Sequence, residues 1–224
     1  MSYELIIFDW DGTLADSTGR IVDSMQKAGR LVGLPELSDA AVQNIIGLGL
    51  PEALLVLWPD ITDEQMTMMR EAYARNFVYD SQVQMSLFDG AEAMLKRLQK
   101  AGLLLAVATG KSRKGLDRLL HDLSLGHYFA ATRCADETLS KPDPLMLNEL
   151  LTQLSIPAGR ALMVGDTTYD LDMARAAGVD SVAMGHGAHE DEVLLASGPK
   201  VLCHSITELE NWIFSHINGS GADT

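Results

Sequence analysis

Asp9 and Asp11 stand in Phe8-Asp9-Trp10-Asp11-Gly12-Thr13-Leu14, directly after the apolar run Leu5-Ile6-Ile7-Phe8. Two carboxylates one residue apart, at the end of a buried strand, each raise the other's pKa unless a cation or hydrogen-bond donors compensate. The following Gly-Thr permits a sharp exit from the strand and supplies a hydroxyl. An Asp-rich turn would show the same residues, so the other strand ends must separate turn from site.

Those ends carry chemistry as well. The run Leu103–Ala108 delivers Thr109-Gly110-Lys111-Ser112, and Ala161–Val164 delivers Gly165-Asp166-Thr167-Thr168-Tyr169-Asp170. Between them lies Ser140-Lys141-Pro142-Asp143-Pro144, a lysine ahead of a helix with proline in its first turn. Ligands of open parallel sheets bind beyond the carboxyl ends of the strands, so these groups are expected along one edge. Their joint chemistry is phosphoryl transfer. Asp9, Asp11 and Asp166 offer hard oxygen ligands suited to Mg2+, which would relieve the carboxylate repulsion and supply a positive centre. One carboxylate can attack phosphorus to form an aspartyl-phosphate. Asp11 can protonate the leaving alkoxide and then activate water, while Thr109 and Lys141 hold the phosphoryl oxygens.

Two rival motifs fail. Gly110-Lys111-Ser112 ends like a phosphate-binding P-loop, but Leu105 occupies the position that needs the first glycine. His186 and His189 have no accompanying cysteine or carboxylate framework of the kind zinc requires.

The elements that must position these residues alternate. Tyr128–Thr132, Ser181–Met184 and Lys200–Cys203 are shorter strand candidates beside the three long apolar runs. Amphipathic segments lie between them, at Ala91–Ala101, Arg113–Leu123, Pro144–Leu154 and Leu171–Ala177, with Ala-Gly stops at 101–102 and 177–178. The expected fold is an α/β, doubly wound parallel (Rossmann-like) sheet with right-handed crossovers. Between about Asp16 and Phe88 the pattern reads as helices only. Ile21, Met25, Ala28 and Val32 form one stripe, and Met66, Met69, Tyr73 and Phe77 another, entered by a capping box at Thr62-Asp63-Glu64-Gln65. Some seventy residues are too long for a loop, so an inserted all-helical cap domain is expected. The division is 1–15 and 89–218 for the core, 16–88 for the cap and 219–224 for a flexible tail.

Composition narrows the classes. The chain has 224 residues, 47% apolar and 21% charged, which suits a globule with a substantial core. A net charge of −14 is a poor match for nucleic acid. Cys134 and Cys203 read as buried or incidental thiols. No apolar stretch reaches membrane-span length, and neither a basic region nor a cleavage site precedes the first strand. A cytoplasmic protein is the expectation.

On these four motifs the chain resembles the haloacid dehalogenase superfamily of phosphatases that carry a helical cap after the first strand, and is similar to the phosphoglycolate phosphatases. The likeness spans nearly all of residues 3–217. It implies that Asp9 is the nucleophile and Asp11 the general acid/base, with Thr109 and Lys141 stabilising the phosphoryl group. It implies further that the Asp9 carboxylate, the Asp11 backbone carbonyl and Asp166 hold Mg2+, and that Asp170 positions metal-bound water or Lys141. The dehalogenases proper lack the second aspartate, and the phosphonatases replace it and use a cap lysine; here Asp11 is present, and Lys27 is the cap's one lysine. Hexose-phosphate mutases keep both aspartates but carry a histidine near the start of the cap, and no histidine occurs between Asp16 and Phe88. Hydrolysis is therefore the favoured reading, with a mutase or a non-catalytic regulatory relative as alternatives. The turn Gly47-Leu48-Gly49-Leu50-Pro51 is expected to face the site, with Gly110, Lys111, Gly47, Gly49 and Arg20 as candidate substrate contacts. Arg30, Arg70 and Arg75 are further cap cations. The substrate is expected to be a small-molecule phosphate ester. Phosphoglycolate, a sugar phosphate and a nucleoside monophosphate all fit, and a monomer with a mobile cap is the expected assembly.

Overall fold

The computed structural model of the chain describes residues 3–217, so the tail expected at 219–224 lies outside the described residues. In chain order it contains β1 (Leu5–Phe8), β2 (Ala15–Asp16), α1 (Thr18–Val32), α2 (Asp39–Gln43), α3 (Leu50–Leu57) and α4 (Asp63–Arg75). There follow β3 (Ser86–Leu87), α5 (Ala91–Lys100), β4 (Leu104–Thr109), α6 (Arg113–Asp122), β5 (Ala131–Cys134) and α7 (Leu145–Leu154). The chain closes with β6 (Ala161–Gly165), α8 (Thr168–Ala176), β7 (Asp180–Met184), α9 (Asp191–Ala196), β8 (Leu202–Cys203) and α10 (Ile206–Ile217).

Six strands pair in parallel in the order β5-β4-β1-β6-β7-β8, a doubly wound α/β sheet as expected. The continuous apolar runs follow from its two covered faces. Leu5 and Ile7 pack with Ala106, Met163, Leu147 and Met173 on one side. Ile6 and Phe8 pack with Val107, Val164, Leu95 and Ile213 on the other. A period of two on a strand buried from both sides leaves no polar position. Phe8 lies opposite both Val107 and Val164, so β1 ends two residues before β4 and one before β6, and the residues that follow all three leave by the same edge. The winding reverses at β1 and β6, and there the sheet opens a crevice.

The helical insertion has a core of its own. Ile21, Met25 and Ala28 of α1 meet Leu54, Trp58 and Met69. Gly29 makes room for the indole, since a Cβ there would come within 3.1 Å of the Trp58 ring, and Trp58 Nε1 donates to the Pro35 carbonyl at 3.0 Å. Both halves of the capping box at Thr62 and Gln65 form. No helix among the described residues is long and apolar enough to cross a membrane. Cys134 and Cys203 are buried free thiols.

Several expectations are corrected. The stretch from Asp16 to Phe88 is not purely helical, because β2 and β3 pair antiparallel, Ala15 with Leu87 and Asp16 with Ser86. Two-residue strands are too short to show a period. The strand expected at Tyr128–Thr132 starts at Ala131. Gly126–Tyr128 is a 3-10 turn from which Tyr128 and Phe129 pack into the core, so burial alone produced the apolar run. Helix α8 begins at Thr168 rather than Leu171, because Thr167 and Asp170 cap it reciprocally. The stripe through Phe77 outruns α4, which passes into a wider π turn at Asn76–Asp80.

Replacing Thr62 by Ala is expected to cost about 1 kcal/mol, seen as a lower urea midpoint at unchanged slope. Thr67→Ala, at an exposed hydroxyl that bonds only the Asp63 carbonyl of its own helix, should stay within about 0.5 kcal/mol of wild type.

Candidate active site

The sheet itself aims Asp9. Its N–H donates to the Val164 carbonyl at 2.9 Å, carrying the β1–β6 ladder one residue past the strand. The chain then turns sharply: the Trp10 carbonyl accepts the N–H groups of Leu14 and Ala15 at 3.0 Å, and Gly12 donates to Ala15 at 2.8 Å. Gly12 has φ +79°, and a Cβ there would come within 2.1 Å of Asp166 Oδ2. Backbone and neighbouring carboxylate both demand glycine.

Behind this turn lies a buried ionic cluster. Lys141 Nζ is 2.6 Å from Asp9 Oδ1 and 2.6 Å from Asp170 Oδ1, with all three side chains shut away from solvent. Asp170 Oδ2 accepts from Thr167 Oγ1 at 2.7 Å. Asp166 accepts from Thr13 Oγ1 at 2.8 Å and from the Ala188 N–H at 2.7 Å. Asp9, Asp166 and Asp170 each bring one oxygen within 4.8 Å of the others. One ammonium thus pairs with two of three clustered carboxylates. Burial pushes the Asp9 carboxyl up to about 7 against the pull of Lys141, with Asp170 and Asp11 adding to the rise. Burial and the charges of Asp9 and Asp170 likewise hold Asp166 well above the carboxylate range. Burial opposes the charge on Lys141, but Asp170 and Asp9 outweigh it and raise its pKa.

This cluster fits a divalent cation. Asp9 Oδ2 is buried and accepts no hydrogen bond, a costly state for a carboxylate oxygen unless a cation meets it. The Asp11 carboxylate is turned elsewhere: Oδ2 lies 2.8 Å from Lys111 Nζ, and Oδ1 accepts from Ser17 Oγ at 2.5 Å. The third carboxylate of the cluster is therefore Asp170, and Asp11 could join only through its backbone. Thr109, wholly buried at the end of β4, accepts from the Lys111 N–H at 3.2 Å.

The insertion reaches these loops through the expected turn. A Cβ on Gly110 would come within 2.5 Å of the Leu48 carbonyl and 2.6 Å of the Gly47 carbonyl. The Gly49 N–H donates to Ser140 Oγ at 2.8 Å. Tyr169 Oη and His189 Nε2 approach the Asn44 carbonyl at 2.9 and 3.3 Å, while His189 Nδ1 accepts from the Thr168 N–H at 3.1 Å. His186 stacks on Phe88 with ring centroids 3.8 Å apart. A cavity of about 500 Å3 opens between insertion and sheet, bounded by Asp11, Gly110 and Lys111 on one side and Arg20 and Gly47 on the other. Arg20 spends its Nε on the Phe77 carbonyl at 2.7 Å. Arg30, Arg70 and Arg75 are exposed and do not line this cavity.

Sequence reasoning passed over Ser17, Thr13 as a partner of Asp166, Thr167, and the Gly187-Ala188 backbone. The Thr167-x-x-Asp170 spacing is a readable capping signal. The Gly185–His189 loop follows β7, so the strand-end rule reaches it, but its contribution is a main-chain N–H that no residue type announces. A Cβ on Gly187 would come within 2.2 Å of Asp166, which explains the glycine.

Residues 6–184 match the family model of the haloacid dehalogenase-like hydrolases. The chain is 30% identical over 216 residues to a phosphoglycolate phosphatase of Vibrio cholerae, covering 93% of this chain and 96% of the relative. It is 31% identical over 207 residues to the tyrosine-protein kinase PtkA of Mycobacterium tuberculosis, covering 92% and 70%. The crystal structure of a hydrolase from Pseudomonas syringae superposes with a TM-score of 0.86 at 25% identity, covering 96% and 99%.

The cluster predicts a pH signature in cation-free protein. The Asp9 carboxyl keeps its proton until about 7 in the native state, against an ordinary value of 3.8. The native state holds the extra proton across that window, so this contribution is full below the ordinary value and is lost as pH rises through about 7. With chelator present, wild type should lose more stability between about pH 5 and about pH 8 than Asp9→Asn, which has no such proton. Equal slopes for the two proteins would refute the assignment.

Proposed function

The chain is a phosphatase of the haloacid dehalogenase-like hydrolase family, and from that premise we propose that it hydrolyses a small organic phosphate monoester, with Mg2+, through an aspartyl-phosphate on Asp9. The observation that carries this reading is the buried cluster in which one lysine serves two of three carboxylates while Asp9 Oδ2 has no partner. The Asp9 and Asp166 carboxylates and the Asp11 backbone carbonyl would hold Mg2+, with Asp170 beside them. Bound there, the ion supplies the positive charge that an anionic ester needs and polarises its phosphoryl oxygens.

The protein's own groups do the rest. Asp9, held by the Val164 ladder and Lys141, presents its carboxylate in one orientation and attacks phosphorus. As the ester P–O bond breaks, Asp11 gives its proton to the leaving alkoxide. It later takes a proton from the water that attacks the aspartyl-phosphate, so phosphate leaves and Asp9 is regenerated. Thr109 and Lys141 hold the phosphoryl oxygens through the transition state. Residues 16–88 act as a cap on a core of 1–15 and 89–218, excluding bulk water when closed.

Purified protein should release inorganic phosphate from members of a metabolite panel only with Mg2+ present. Asp9→Asn should lower kcat by about 10³-fold or more, and Asp11→Asn by about 10²–10⁴-fold, with each variant still folded by circular dichroism. Undiminished turnover in Asp9→Asn would remove it as nucleophile. In 18O-labelled water the label should appear in the released phosphate; phosphate carried to an alcohol acceptor instead would make the chain a transferase. Mg2+ should raise the melting temperature of wild type but not of Asp166→Asn.

A further inference from the structure

The cavity between insertion and sheet starts where a leaving group must lie, at Asp11, Gly110 and Lys111. Away from that mouth most of its wall is hydrocarbon and aromatic, from Met25 of α1, Ile46 of the turn after α2, Leu50 of α3, Phe77 and Met85 between α4 and β3, and Leu119 of α6, while Tyr73, Ser112 and the Arg118–Asp122 pair are its polar members. About 500 Å3 is space for a ligand of many heavy atoms, and a two-carbon acid would leave most of it to water.

The cations that border the cavity are already engaged. Lys111 pairs with Asp11 at 2.8 Å and lies 4.8 Å from the centre of the Phe77 ring. Arg118 pairs with Asp122 at 3.4 Å. Arg20 gives its Nε to the Phe77 carbonyl at 2.7 Å and an Nη to the Val83 carbonyl at 3.3 Å, with its guanidinium 5.4 Å from the same ring. A carboxylate on the leaving group would compete with these bonds. A polyol could meet the few polar groups at Tyr73, Ser112 and Asp122, but its remaining hydroxyls would lie unpaired against the apolar wall, at a cost for each. An alkyl chain or an aromatic ring fits without either penalty.

We propose that the substrate's organic group is large and apolar, so that the chain cleaves monophosphates of aromatic or extended alkyl alcohols in preference to a two-carbon acid or a sugar phosphate. This rests on the phosphatase reading above and adds the substrate class. The cap's apolar walls act as the selector, since they bind the leaving group and leave the ionic cluster to the phosphate.

The test compares esters that share a primary alkoxide leaving group, so that chemistry is level and only the organic group varies. Ethyl, butyl, hexyl and benzyl phosphate are assayed beside phosphoglycolate and glucose 6-phosphate. kcat/KM should rise about 3- to 4-fold per methylene from ethyl to hexyl, and hexyl and benzyl phosphate should exceed both polar esters by about 10-fold or more. Leu119→Gln and Met85→Gln, each checked for an unchanged melting temperature, should lower kcat/KM for hexyl phosphate about 10-fold more than for ethyl phosphate. A flat alkyl series, or a polar ester matching hexyl phosphate, overturns the apolar assignment while the phosphatase reading stands. Failure to cleave any ester overturns both.

Discussion

Three carboxylates cluster at the carboxyl edge of the sheet with one ammonium that pairs with two of them, and many special features of the fold serve that arrangement. Asp9 is held by the sheet ladder, Asp170 by the first turn of α8, and Asp166 by a hydroxyl and a main-chain N–H. Gly12 and Gly187 are glycine because the Asp166 carboxylate occupies the space that a Cβ would need. Such a cluster does not stabilise a fold by itself, since burying unbalanced charge is expensive. The two apolar layers on either side of the sheet carry that cost, and a divalent cation would offset it.

A division of labour follows from where the charges and the hydrocarbon lie. The loops at the ends of β1, β4, β5 and β6, with the first turn of α8, hold the ionic groups. The helical insertion offers apolar side chains and a turn whose main chain lies against Gly110 and Ser140. The two surfaces meet at Asp11 and Lys111, so proton chemistry and leaving-group recognition would share one boundary.

Much of this was legible from residue types. Continuous apolar runs identified β1, β4 and β6 because strands covered on both faces have no polar positions. The groups that follow those runs then stood out as a set. Thr62 and Gln65 announced the start of α4 through a spacing that only a helix uses. The β2–β3 pair and the true start of β5 were not legible. Two-residue strands carry no period, and Tyr128 and Phe129 are apolar because they seal the core from a turn.

Periodicity and residue chemistry are local properties, and they sufficed to read the parallel sheet, the helical insertion and the set of groups at the strand ends. Which carboxylates meet depended on how distant segments pack. That packing put Asp170 beside Asp9 and Asp166, turned Asp11 toward Lys111 and Ser17, and brought the Ala188 N–H to Asp166. It also decided that Arg20 bonds to main-chain carbonyls, and that most of the cavity wall is apolar. The physical reason is the same in each case: a side chain's partner is chosen by geometry across distant segments, and no spacing along the chain encodes that distance.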